Sequence, residues 1–100
     1  MMKLEWTLRA REDLRAVGRY IARDNPKAAR AWVARLVAAA REAAAAPRVG
    51  RIVPEIGNPE YREVLVRNYR IVYRIERDGK AIVVLMVFEG HKLLDSSAIE

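Results

Sequence analysis

The segment that decides the fold is YRIVYRIERDGKAIVVLMVF, residues 69–88, in which two strand-like runs flank Asp78-Gly79. Asp-Gly favours a two-residue hairpin turn because both turn positions prefer a positive φ. Residues 69–77 alternate polar and apolar side chains, which is typical of a strand with one covered face. Residues 81–88 are apolar throughout, which indicates a central strand covered on both faces. The segment therefore predicts two neighbouring antiparallel strands at the centre of a sheet.

The predicted turn also fixes which residues of the hairpin lie opposite each other. It places Ile75 opposite Ile82 and Ile71 opposite Met86, on a wholly apolar face that we expect beneath helices. The other face, called the second face below, is mixed and carries Arg70, Val72, Arg74, Glu76, Ala81, Val83, Leu85 and Val87. A preceding strand over residues 61–67 ends in a tight turn near Asn68 and adds Glu63, Leu65 and Arg67 to this face.

An apolar strip with a basic rim runs along the second face. It consists of Leu65, Val72, Val83, Leu85 and Val87. An exposed strip of this kind is typical of a protein-binding surface, and we favour that interpretation. Alternatively, the C-terminal residues 91–100 fold over the strip. Arg70 and Arg74 project together from this face, where they either hold a phosphate or pair with Glu63 and Glu76.

The N-terminal half predicts a strand followed by a helical hairpin. Residues 3–6 form a short strand, and the hydroxyl of Thr7 caps a helix with an apolar stripe at Ala10, Leu14, Val17 and Ile21. Asn25-Pro26 ends this helix and begins another, which runs through an alanine-rich stretch to Pro47. Residues 47–59 form a loop. The order β-α-α-β-β-β predicts a single α+β domain over residues 1–100, with the helices on one face of a mostly antiparallel sheet.

Composition excludes several classes of chemistry. The chain has 100 residues, no cysteine and a single histidine, so that disulfides, thiolate catalysis and cysteine- or histidine-rich metal sites are ruled out. We therefore expect neither a metal nor a cofactor. No apolar run approaches the roughly 18 residues of a membrane span, and the charged N-terminal residues are unlike a secretory signal, so we expect a cytoplasmic protein without a membrane partner.

The net charge of +6 fits an acidic or nucleic-acid partner without choosing between them. Four of the basic residues form an i+4 ridge on the first helix, namely Arg11, Arg15, Arg19 and Arg23. The ridge lies opposite the apolar stripe, so solvation alone accounts for it. A nucleic-acid footprint is the less favoured alternative.

Several motifs, in order and spacing, resemble the RelE/ParE toxins of type II toxin–antitoxin systems. They include W-T-x-x-A-x-x-D-L at residues 6–14, N-P-x-A-A at 25–29, Y-R-I-V-Y-R-I at 69–75 and V-F-E-G-H-K-L-L at 87–94. The resemblance implies a strand, a helical hairpin and a three-stranded meander. It also implies a small basic toxin that a co-encoded antitoxin neutralises with an acidic or amphipathic C-terminal segment, operator DNA being bound only through the antitoxin. The apolar strip and Arg74 are then the expected antitoxin contacts.

The family has two kinds of target, and the resemblance implies different roles for the same residues. RelE-like toxins cleave mRNA on the ribosome, whereas ParE-like toxins poison DNA gyrase. By position Arg70 and Lys92 match basic residues of the ribonuclease set, but two of its lysines fall on Tyr61 and Glu63. If the chain were a ribonuclease, its catalytic group would comprise Arg70, His91, Lys92 and Glu63. We favour gyrase inhibition, with target contacts at Arg67, Arg70, Arg74 and Lys92; the alternatives are an mRNA endoribonuclease and an inactive toxin-fold binding module.

Overall fold

The computed structural model describes residues 2–90 of the chain. Within them lie β1 (Lys3–Trp6), α1 (Leu8–Ala22), α2 (Pro26–Ala45), β2 (Arg51–Ile52), β3 (Tyr61–Val66), β4 (Tyr69–Ile75) and β5 (Ala81–Glu89). The strands form one sheet in the order β1-β5-β4-β3-β2, in which β1 runs parallel to β5 and the other neighbours are antiparallel. The predicted α+β architecture is confirmed. Strand β2 was not predicted, because two residues are too few to show an alternating pattern.

The helices begin and end where the sequence signals lie. The Thr7 hydroxyl accepts a hydrogen bond from the Ala10 N–H at 3.0 Å, and the Asn25 side chain accepts one from the Ala28 N–H at 3.1 Å. The small side chains at the C-terminal end of α2 let it lie close to the sheet, where Ala40, Ala43 and Ala44 are buried. The main core therefore forms between the hairpin and one face of the sheet, called the helix face below.

The register of the β4–β5 hairpin is correct near its turn and wrong beyond it. Ile75 lies opposite Ile82 as predicted, although the connection spans residues 77–80 and closes with the Gly79 N–H donating to the Glu76 carbonyl. A β-bulge follows, in which Leu85 has no partner on β4, so that Ile71 lies opposite Val87 rather than Met86. One extra residue exchanges the faces of everything after it. Val87 consequently joins the helix-face core, and Met86 joins the second face.

The N-terminal end of α1 satisfies the backbone of this bulge. The Thr7 hydroxyl donates to the Leu85 carbonyl at 3.1 Å, and the Asp13 carboxylate accepts from the Val87 N–H at 2.9 Å. Buried backbone groups need such partners when a bulge interrupts the ladder. Thr7 and Asp13, two positions of the first motif quoted above, therefore have a structural role in shaping β5.

The second face has a cover of its own within the described residues. After β2 the chain turns across this face, where Val53 is fully buried against Val72, Leu85 and Met86, with Ile56 packed alongside. The expectation of a continuous exposed strip is thus wrong for Val72 and Leu85, because residues 53–56 return over them. The alternative cover, residues 91–100, lies outside the described residues.

Candidate functional site

A buried network of charged residues lies at the centre of the second face. Arg70 donates two hydrogen bonds to the Glu55 carboxylate, both at 2.7 Å, and a third from its Nε to Glu63 at 2.6 Å. The other oxygen of Glu63 accepts from the Arg51 Nε at 2.5 Å. The Glu63 side chain is 0% exposed and that of Arg70 5% exposed. The guanidinium also lies over the Phe88 ring, 5.0 Å from its centroid.

Three separate segments bring these side chains together. Arg70 of β4 and Glu63 of β3 point to the same face and are diagonal neighbours, since Glu63 lies opposite Val72 and Arg70 opposite Leu65. Glu55 reaches Arg70 from the segment that covers the second face. The hydrogen bond to Glu55 and then those to Glu63 outweigh burial and raise the Arg70 pKa above its ordinary value. The arginine therefore remains charged, and its charge is directed inward to two carboxylates.

The structure decides between the two sequence-based roles for the arginine pair. Arg70 binds Glu63, and Arg74 binds Glu76 at 3.0 Å, so that both pair with the carboxylates named in the sequence as the alternative to a phosphate. The Arg74–Glu76 pair is more open, its side chains being 35% and 34% exposed. Glu55 was not predicted as a partner, because it lies in a loop whose path over the sheet has no periodic signal.

The remaining predicted site residues are scattered rather than gathered. Arg67 is exposed in the β3–β4 turn, where it adopts a φ of 56°. Leu65 is 54% exposed and Val83 is half-buried, whereas Val72, Leu85 and Val87 are buried. His91 and Lys92 lie outside the described residues. The accessible part of the predicted binding surface is therefore its rim: Leu65, Arg67, Arg74 and Val83.

Comparison with known proteins places this fold and site in a family. The helical hairpin on a small sheet is the architecture of the RelE/ParE toxins. The sequence profile described as "ParE toxin of type II toxin-antitoxin system, parDE" matches residues 4–94. The chain belongs to this family and is a toxin of the RelE/ParE type. A relative is Y4kP of Sinorhizobium fredii, named as a candidate toxin, which is 38% identical over 95 residues that cover 90% of each chain.

Solved structures support the same assignment of fold. The chromosomal ParDE toxin–antitoxin system from P. aeruginosa superposes with a TM-score of 0.72 at 25% identity, over 89% of this chain and 96% of that one. The isolated E. coli RelE toxin gives a TM-score of 0.66 at 18% identity, over 93% of this chain and 88% of that one. Neither described helix of the present chain is long and apolar enough to cross a membrane.

Proposed function

We propose that this toxin arrests growth by inhibiting DNA gyrase rather than by cleaving mRNA. The observation that carries the proposal is the engagement of Arg70 by Glu55 and Glu63. Attack by a ribose 2′-hydroxyl needs cations directed at the phosphate and a group that moves a proton. Arg70, the one cation of the ribonuclease set within the described residues, is directed at two carboxylates instead.

The charge balance of the network argues in the same direction. It contains two arginines, Arg51 and Arg70, and two glutamates, Glu55 and Glu63, so that its formal charges cancel. Each oxygen of Glu63 accepts a hydrogen bond from one arginine, which leaves this carboxylate poorly placed to act as a base. A neutral, buried network suits a structural role beneath a binding surface better than phosphate chemistry.

The proposal is tested with purified toxin, gyrase and relaxed plasmid. We expect loss of supercoiling or accumulation of cleaved DNA, and we expect Arg67→Gln combined with Arg74→Gln to weaken the effect, because these two exposed cations are available to a partner. Arg41→Gln combined with Arg77→Gln removes the same charge from exposed positions elsewhere and serves as the control. A toxin that leaves gyrase unaffected but cuts ribosome-bound mRNA would establish the alternative target. A toxin inactive in both assays would be a binding module.

We further propose that the cognate antitoxin covers the open rim of the second face with an acidic segment. Support comes from Leu65 and Val83, which remain accessible beside Arg67 and Arg74. Acidic side chains would pair with the arginines while apolar ones cover Leu65. Operator DNA would be contacted by the antitoxin alone, and both gyrase and antitoxin imply a cytoplasmic site of action.

The antitoxin surface is tested with a pair of matched substitutions. Leu65→Asp should weaken antitoxin binding, whereas Leu8→Asp, at a residue 75% exposed on α1, should leave it unchanged. Leu85→Asp is unsuitable, because Leu85 is only 7% exposed and its replacement by a charge would unfold the protein. Calorimetric titration of each folded variant with antitoxin gives the affinity. Equal affinities for the two variants would remove Leu65 from the interface.

A further inference from the structure

A groove runs along the outer side of the helical hairpin, away from the sheet. It has a volume of about 820 Å³ and is lined only by residues of α1 and α2. Its apolar floor, called the hairpin groove below, is formed by Leu14, Gly18, Ala22, Ala29 and Val33. Arginines lie along its margins: Arg11, Arg15 and Arg19 on α1, and Arg30 on α2.

The floor exists because the two helices are close where their side chains are small. A Cβ placed on Gly18 would come within 3.3 Å of the Val33 Cγ2, so the helices approach each other most closely there. Leu14 and Val33 are only half-buried, which leaves apolar surface in water along the groove. Such surface is stabilised when a partner covers it.

The margin of the groove has an excess of positive charge that nothing nearby offsets. Arg11, Arg15 and Arg19 recur every four residues, and therefore stand about 6 Å apart along one side of α1. Arg15 pairs with Glu12. Within residues 2–90, no ion pair shorter than 4 Å involves Arg11, Arg19 or Arg30. The lining of the groove contains no carboxylate.

We propose that the hairpin groove binds an acidic amphipathic helix of a protein partner. The apolar side of that helix would lie on Leu14 and Val33, and carboxylates spaced by four residues would match the arginine ridge turn for turn. The inference goes beyond the proposed function, since neither gyrase inhibition nor the second face involves this surface. It also gives the ridge a role that solvation alone does not supply.

Two other anionic ligands fit the groove less well. A nucleic-acid backbone would satisfy the arginines but would leave the apolar floor without a counterpart, and the lining contains no aromatic side chain on which a base could stack. A lipid surface is nearly flat on this scale and cannot enter a concave groove between two helices. The combination of apolar floor and basic margin therefore selects a protein helix.

The test uses the full chain and a fluorescein-labelled helical peptide of about 20 residues, with leucines at i, i+3, i+4 and i+7 and glutamates flanking them. Anisotropy should show saturable binding, and a peptide with glutamine in place of glutamate should bind more weakly. Arg19→Gln combined with Arg30→Gln should weaken binding about tenfold, whereas the equally charged Arg41→Gln with Arg77→Gln control should change it less than about twofold.

A second pair of variants tests the floor. Ala34→Glu places a carboxylate at an exposed position that lines the groove, and should abolish peptide binding. Ala16→Glu adds the same charge at an exposed position of α1 outside the groove and should have little effect. Circular dichroism verifies that each variant is folded. Absence of peptide binding, equal weakening by both arginine pairs, or displacement of the peptide by a DNA or RNA duplex would each overturn the proposal. Because the assay contains no gyrase, its outcome is independent of the proposed target.

Discussion

Replacement of Arg70 by methionine should cost this protein much of its stability. Methionine keeps the length and apolar contacts of the side chain but removes its charge. Glu63, with no exposed side-chain surface, would retain only Arg51 as a partner, and Glu55 would lose both of the hydrogen bonds that it accepts from Arg70. Breaking a buried ion pair by removing one member typically costs about 3–5 kcal/mol. A domain of this size has a total stability of about 5–15 kcal/mol, so Arg70→Met should be marginally folded.

Urea unfolding, followed by the fluorescence of Trp6 and Trp32 in the core, measures this loss. The control is Arg74→Met, whose pair with Glu76 is about one third exposed and should contribute no more than about 1 kcal/mol. Arg70→Met combined with Glu63→Gln should recover part of the loss, because the double variant no longer has the buried, underpaired carboxylate. An Arg70→Met protein within about 1 kcal/mol of the parent would refute the structural role of the network.

Three further substitutions test individual contacts. Gly50→Ala should cost more than about 2 kcal/mol in the same urea assay, because the added Cβ would lie 2.3 Å from the Tyr73 hydroxyl oxygen; Gly57→Ala, at a φ of 71° in open space, should cost about 1 kcal/mol. Burial raises the Tyr73 pKa, so its contribution is complete below the ordinary value of about 10 and is lost as the pH rises above it; Tyr73→Phe should reduce that alkaline loss in urea titrations across this range. Asp13→Ala should cost about 1–3 kcal/mol and accelerate hydrogen exchange at the Val87 amide, and unchanged exchange would contradict the role of Asp13 at the bulge.

The parts of the fold that the sequence predicts are those with local causes. Thr7 and Asn25 cap helices through hydrogen bonds to residues three positions ahead, so their effect is visible in a short stretch of sequence. The turn at Gly79 likewise depends on one backbone conformation, a φ of 71°. Such signals need no knowledge of the rest of the chain.

The parts that the sequence misses have non-local causes. β5 is apolar on both faces, so an alternating pattern cannot reveal where Leu85 shifts the register. The groups that accommodate the shift, Thr7 and Asp13, lie more than 70 residues away. Val53 and Glu55 similarly sit in a loop rich in Pro and Gly, and only the sheet onto which that loop folds makes them a cover.

The same non-local contacts change where the positive charge of this toxin is effective. From the sequence, the arginines of the second face stand out as a basic rim around an apolar strip. In the structure Arg51, Arg70 and Arg74 lie in ion pairs with Glu55, Glu63 and Glu76, which match them in number. The excess behind the net charge of +6 therefore lies elsewhere, and much of it flanks the hairpin groove, where Arg11, Arg19 and Arg30 remain without such partners in the described part of the chain. An acidic partner attracted by the field of this protein would thus meet the helical side first.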